Sequence, residues 1–503
     1  MSDGELIVIA GILLSVALVA SLIAGRLRIP ALVLFLGVGM AIGSDGTGWI
    51  DFDDYELARR IGVIALALIL FEGGLGAGFA EIRPVLRPAL SLAFVGTILT
   101  ACVTGLAAAA LFDFSSLEGL LLGSILAATD GAAIFALLRG STLRRRLART
   151  LEGEAGLNDP VAVLLVLGFI AWIQRPGYGI ADMAALFARE LAIGASVGVA
   201  TGLVAVQAFR RIRLANAGLY PVASVAAAAL AYGSASVLHG SGFLAVYLAG
   251  LVLGTLPIPA RPVVDAFHQG AAWVAQIAVF LTLGLLVFPA QLDDVWVEGT
   301  IIGLVSVAVA RPLAVAVATA AERFSSAERL VLGWAGLRGA IPVVLATFPV
   351  IEGVPDSVRF FNIVFFAVII STLLQGATFE PVARALGVTT AQPALPRPAG
   401  DTGTIRRLGA ETLEWQVQPG DAIVGRRVRE LGLPRDALIT LIVRDNEAIP
   451  PRGSTRIETE DSLYLLVRHE TSDDVLKLLD RWREGPLDDG AAEREHADQP
   501  AER

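Results

Sequence analysis

Apolar runs recur through the first 385 residues of this chain at a length and spacing that predict membrane-spanning helices. A stretch of about 17–25 predominantly apolar residues crosses a hydrocarbon layer as an α-helix. Such stretches fall at roughly 5–24, 29–44, 60–78, 86–111, 118–138, 150–172, 184–209, 217–238, 242–257, 269–289, 298–320, 328–350 and 358–385, thirteen in all. Those at 29–44 and 242–257 are the short ones. The polar connections between them alternate in charge. One set carries Arg26 and Arg28, Arg83 and Arg87, Arg139 with Arg144, Arg145, Arg146 and Arg149, then Arg210, Arg211 and Arg213, then Arg261, then Arg323 and Arg329. The other set is acidic or neutral, as at 51–54 and 291–294. Basic loops stay on the cytoplasmic side. The alternation therefore predicts an odd number of crossings, with the N-terminus outside and the C-terminus in the cytoplasm. No basic segment precedes the first apolar run, which reads as a retained span rather than a signal peptide.

Beyond residue 387 the pattern changes. Residues 388–403, with Pro393, Pro396 and Pro398, read as a linker. Residues 404–482 have the composition of a small soluble α+β domain. Trp415–Val417, Leu438–Val443 and Ser462–Val467 predict strands, with a turn at Pro419-Gly420-Asp421. Val424–Leu431 and Asp473–Trp482 predict helices. The acidic, Gly/Ala-rich tail at 483–503 has too few apolar residues to pack and is expected to be disordered.

Composition sharpens the class. The chain is 55% hydrophobic and 17% charged, with mean hydropathy +0.68, whereas a soluble domain carries about a quarter charged residues. One cysteine, Cys102, excludes an internal disulfide and a thiolate metal cluster. The four histidines, His239, His268, His469 and His496, are too scattered for a zinc site. The net charge of −9 gives no reason to expect nucleic acid as a partner.

Ionisable residues inside the apolar runs are the candidate chemistry. Each costs roughly 2.5–3.5 kcal/mol on insertion scales, so such groups usually mark an ion or proton path. Asp130 is the one charge in Leu120–Leu138, and Asp159 opens onto Val161–Trp172. Glu72 lies in Phe71-Glu72-Gly73-Gly74. Thr129-Asp130-Gly131 and Gly336-Leu337-Arg338-Gly339 carry glycine beside a charge, the composition of a broken helix whose freed carbonyls and half-helix ends can meet a cation. A packing contact is the plainer reading of those glycines. Glu154 and Asn158 share a helix face, while Asp159 is turned about 100° away. Arg311, surrounded by apolar residues, needs a carboxylate partner, for which Glu154 is the best candidate. Arg311 and Arg338 also fit purely structural ion pairs.

These residues carry a resemblance. Phe71-Glu72-Gly73-Gly74, Ala128-Thr129-Asp130, Glu152-Gly153-Glu154 with Asn158-Asp159-Pro160, Ala310-Arg311-Pro312 and Gly336–Gly339, in that order, resemble the motifs of NhaP/NHE-type cation:proton antiporters. The resemblance implies inverted repeats with two broken helices, and electroneutral one-for-one exchange at the plasma membrane, with no cofactor. It implies Asp159 as the exchanging carboxylate, and Asp130 with the backbone at Thr129 completing the cation site. It implies a structural Glu154–Arg311 pair, and Asn158 and Glu72 orienting the site. Members often place serine after the motif glutamate, where this chain has Ala155, so that ligand is lost or replaced by water.

Residues 404–480 resemble an RCK-C (TrkA-C) regulatory domain, which implies a homodimer and a small ligand such as a nucleotide, with a purely dimerising role as the alternative. No Gly-x-Gly-x-x-Gly opens a helix after a strand, so NAD sensing is not expected. The attached domain points to potassium as the exchanged cation, with sodium the alternative. A channel is disfavoured because no carbonyl-lined filter sequence is present. A membrane-embedded enzyme is disfavoured because no His-containing motif lies in the spans, and an ion sensor would be separated from a transporter by flux.

Overall fold

The computed structural model describes residues 3–27, 31–131, 133–134, 138, 141–212, 214, 216–390, 410–444, 447–468 and 472–484. They form two compact units, Met1–Pro396 and Arg397–Arg503.

The first unit is built of helices. In order these are α1 (Asp3–Leu27), α2 (Ala31–Ile42), α3 (Tyr55–Ala77), α4 (Arg83–Leu111), α5 (Ser116–Ala127), α6 (Arg145–Gln174) and α7 (Ile180–Arg211). Then come α8 (Leu219–Val237), α9 (Gly242–Thr255), α10 (Arg261–Leu285), α11 (Trp296–Ala318), α12 (Ser326–Trp334), α13 (Ala340–Ile351) and α14 (Ser357–Ala385). Among the described residues, nine of these are long and apolar enough to cross a membrane. The shorter apolar helices α2, α5, α9 and α13 overlap the remaining expected spans, so length alone identifies nine of the thirteen runs as crossings.

Two expected spans are interrupted. The run at 118–138 is helical to Ala127, extended at Ala128, and helical again from Gly131. The run at 328–350 breaks over residues 335–339, between α12 and α13. Each interrupted element follows a helix with a π-turn, Leu92–Gly96 in α4 and Ser306–Ala310 in α11. Single π-turns recur at functional sites because they re-aim the residues around them. Under the thirteen-span scheme α4 and α11 run in opposite senses, so a π-turned helix followed by a broken one occurs twice, inverted.

α6 is the central helix. It is largely buried, whereas α7 lies at the periphery. Pro160 lies within it and has no amide to offer the carbonyl of Gly156.

The second unit is an antiparallel sheet, ordered β1-β4-β2-β3, of β1 (Ala410–Gln416), β2 (Ala437–Arg444), β3 (Glu447–Ile449) and β4 (Ser462–Arg468), with helix α15 (Ser472–Glu484). Ile439, Leu463, Leu465, Val475 and Trp482 fill its core. Three expectations for this unit change. Val424–Leu431 is not a helix beyond the 3-10 turn Val428–Glu430. Gly425 takes φ +81 there, and the amides of Gly425 and Val428 bond to the carbonyls of Ile457 and Thr455 at 2.8 and 2.9 Å. β3 was not expected from its polar sequence, and β1 begins upstream of Trp415. The expected tail beyond residue 484 and the linker from residue 391 lie outside the described residues.

Candidate functional site

The two interruptions meet, and each supplies what the other's broken backbone lacks. In a hydrocarbon layer no water is available for freed N–H and C=O groups, so side chains must satisfy them. The amide of Asp130 donates to the carbonyl of Leu337 at 2.9 Å. The Asp130 carboxylate accepts from the amide of Ala133 at 3.1 Å, starting its own second half-helix, and from the amide of Ala340 at 3.2 Å, the first residue of α13. One carboxylate thus sits at two half-helix N-termini, where the backbone dipole favours negative charge. Arg338 does the converse. Its Nη1 donates to the carbonyls of Ala127 and Ala128, at 2.8 and 2.9 Å, at the C-terminal end of α5. Its own backbone is held by Ser371, whose Oγ accepts from the Arg338 amide at 3.0 Å, and by Thr372, whose Oγ1 donates to the Arg338 carbonyl at 2.6 Å. Among the described residues Arg338 therefore pairs with carbonyls and not with a carboxylate.

Gly339 is required by this crossing, because a Cβ there would overlap the Asp130 carboxylate. Gly339→Ala should lower the thermal midpoint of the purified protein, by an overpacking cost of about 1–3 kcal/mol. An unchanged midpoint would contradict the close approach.

α6 brings in the remaining residues. Glu154 and Arg311 form a two-pronged pair at 2.6 and 2.7 Å, both about 2% exposed. The Nδ2 of Asn158 donates to the hydroxyl of Thr129. Asp159 differs from all of these. It is 2% exposed, and neither carboxylate oxygen has a hydrogen-bond partner among the described residues. The Oδ1 of Asn158 is likewise without a donor. Asp130 and Asp159 face one small cavity together with Gln276 of α10, Leu70 of α3 and Ile341 of α13. Its volume is about 10 Å³, close to the least that admits one water-sized occupant.

Of the residues singled out in the sequence, Asp130 and Asp159 meet at this cavity, while Thr129 and Asn158 form a bonded pair beside it. Glu154, Arg311 and Arg338 brace the surrounding helices. Glu72 is buried on α3 and does not line the cavity. Ala155 packs into an apolar cluster with Leu92 and Leu151. Gln276 was not singled out, because a neutral amide in an amphipathic helix carries no charge signal.

Residues 13–385 match the family described as "Sodium/hydrogen exchanger, transmembrane", and residues 413–480 match the TrkA-C domain. The K(+)/H(+) antiporter NhaP2 of Shewanella oneidensis is 37% identical over 488 residues, covering 95% of this chain and 83% of that protein. The K(+)/H(+) antiporter NhaP of Alkalimonas amylolytica is 36% identical, over 94% of this chain and 83% of its own length. The Na(+)/H(+) antiporter NhaH of Halobacillus dabanensis is 27% identical over 75% of this chain and 97% of its own. Among solved structures, the sodium proton antiporter MjNhaP1 of Methanocaldococcus jannaschii shares the fold of the first unit, with TM-score 0.66 over 76% of this chain and 99% of its own, at 22% identity.

Proposed function

The chain belongs to the sodium/hydrogen exchanger family, and from that premise we propose that it exchanges potassium for protons at Asp159. The observation that carries this reading is the buried carboxylate of Asp159, which has no hydrogen-bond partner among the described residues. Asp130 already has donors from two helix ends, and Glu154 has its arginine. Asp159 alone of the three meets neither. An ionised group in that condition is costly at membrane depth, so the site favours an occupant that neutralises it, either one proton or one monovalent cation. Neutral oxygens from Gln276, Asn158 and the broken backbone at Thr129 are the accompanying ligands for the cation. A site neutral when loaded with either ion, and charged when empty, reorients only when loaded. That is the condition for coupled exchange, and Asn158, standing beside Asp159 in place of a second acid, is in keeping with one-for-one stoichiometry.

Potassium is favoured because the relatives aligned over both units are named K(+)/H(+) antiporters. Sodium is the second reading, supported by the name of NhaH. Proteoliposomes given each cation separately decide between them. Potassium should half-saturate proton movement at the lower concentration, and the reverse order would assign the protein to sodium. In the same assay a fall in pH should raise the half-saturating cation concentration while leaving the maximal rate at saturating cation in place. A fall in maximal rate without that shift would contradict competition for one carboxylate.

The alternating loop charges support a plasma-membrane protein with its N-terminus outside and its TrkA-C unit in the cytoplasm. That unit is proposed to pair with a second copy and to take a small regulatory ligand. Removing residues 400–503 should then leave exchange active but no longer responsive to such a ligand.

A further inference from the structure

Along α6, helical periodicity sets Glu152, Gly156, Asp159, Val163 and Leu167 on one stripe. The two ends of the stripe differ. Val163 and Leu167 wall a cavity of about 440 Å³ that Arg59, Glu190 and His239 also line. Glu152, at the other end, is buried and pairs with Arg149 at 2.6 Å. Between Glu152 and Asp159 the stripe is covered by Tyr247, reaching across from α9.

Tyr247 is 1% exposed and lies directly on Gly156, so that a Cβ at Gly156 would overlap its ring. Its hydroxyl is buried without a hydrogen-bond partner among the described residues. A buried phenol ordinarily finds one. Pro160 deprives the carbonyl of Gly156 of its helical donor. Such carbonyls line cation routes in broken or kinked helices. The stretch of α6 between Glu152 and Asp159 is thus covered by a ring whose hydroxyl has no hydrogen-bond partner among the described residues.

We infer that Tyr247 is the gate that closes the Glu152 side of the Asp159 site, and that its hydroxyl is bonded only in the state in which the ring has left Gly156. The structure is then closed toward Glu152. Under the proposed orientation the Glu152 side is cytoplasmic. Tyr247 acts by positioning and touches no reacting atom in the closed state. The inference rests on the assignment of exchange to Asp159, and its test keeps the two separable.

The test measures proton-coupled uptake of radioactive rubidium, as a potassium stand-in, by proteoliposomes of the full chain, with thermal midpoints recorded in parallel. Tyr247→Phe removes an atom that bonds nothing here, so its midpoint should equal or exceed that of the parent. Its exchange should nonetheless slow by about 2- to 10-fold, the rate equivalent of one hydrogen bond present in only one state. Tyr247→Ala removes the ring and should let rubidium equilibrate without proton movement. If both variants exchange at the parent's rate and remain fully coupled, Tyr247 is a packing residue and the inference fails. Should Tyr247→Ala not fold, Tyr247→Phe decides alone, since a parental rate there is already incompatible with a hydroxyl used in only one state. Exchange retained by Asp159→Asn would instead overturn the site assignment, whatever the Tyr247 variants do.

Discussion

Asp159→Asn is expected to reduce cation-dependent proton movement to the rate of protein-free vesicles. Asparagine has nearly the same shape, so the packing of α6 is preserved. It neither takes up a proton in the working range nor offers a charge to balance a cation, and the loaded states that the exchange cycle alternates between no longer exist. The same substitution removes a buried carboxylate that has no hydrogen-bond partner among the described residues. The thermal midpoint should therefore hold or rise. Loss of function without loss of stability separates a transporting group from a structural one. Substantial residual exchange in a folded Asp159→Asn protein would move the exchanging group elsewhere.

Arg311→Ala should fail in the opposite manner. The guanidinium follows the π-turn of α11 and meets Glu154 of α6 with both prongs. Removing one member of a buried pair leaves the other charge uncompensated, at a cost of about 3–5 kcal/mol. The folded yield in detergent and the thermal midpoint should fall sharply, while whatever protein folds should bind its cation with parental apparent affinity. Replacing both partners together, as in Arg311→Met with Glu154→Leu, should recover much of the stability, because an apolar pair avoids the desolvation of two charges. A well-expressed Arg311→Ala protein with a normal midpoint and a shifted affinity would place Arg311 at the ion site instead.

Much of this was legible in the sequence because membrane burial makes charge conspicuous. Asp130, Asp159, Glu154, Arg311 and Arg338 each interrupt apolar text, and the partner of Arg311 followed from the cost of leaving it alone. The pairing of Arg338 with the carbonyls of Ala127 and Ala128 did not follow, since backbone acceptors leave no trace in residue identity. Gln276 and Tyr247 were passed over for a related reason. Neutral polar side chains occur throughout amphipathic helices, and only the three-dimensional position shows that one faces the Asp159 cavity and the other lies over Gly156. In the second unit, Val424–Leu431 has helix-compatible spacing, yet its amides are taken by residues 455–457 across a local pairing that no short window contains.

The way the interrupted elements complete one another bears on how this protein tolerates recombination. Residues 127–130 and 337–340, more than two hundred positions apart, act as donor and acceptor to each other through Asp130, Arg338 and the Leu337 carbonyl. A chimaera joining the first part of this chain to the second part of a divergent relative inherits half of that exchange from each parent. The breakpoint itself is of little consequence. Transplanting both segments from one parent should restore hybrids that fail when the two come from different parents, so these short stretches form one heritable unit.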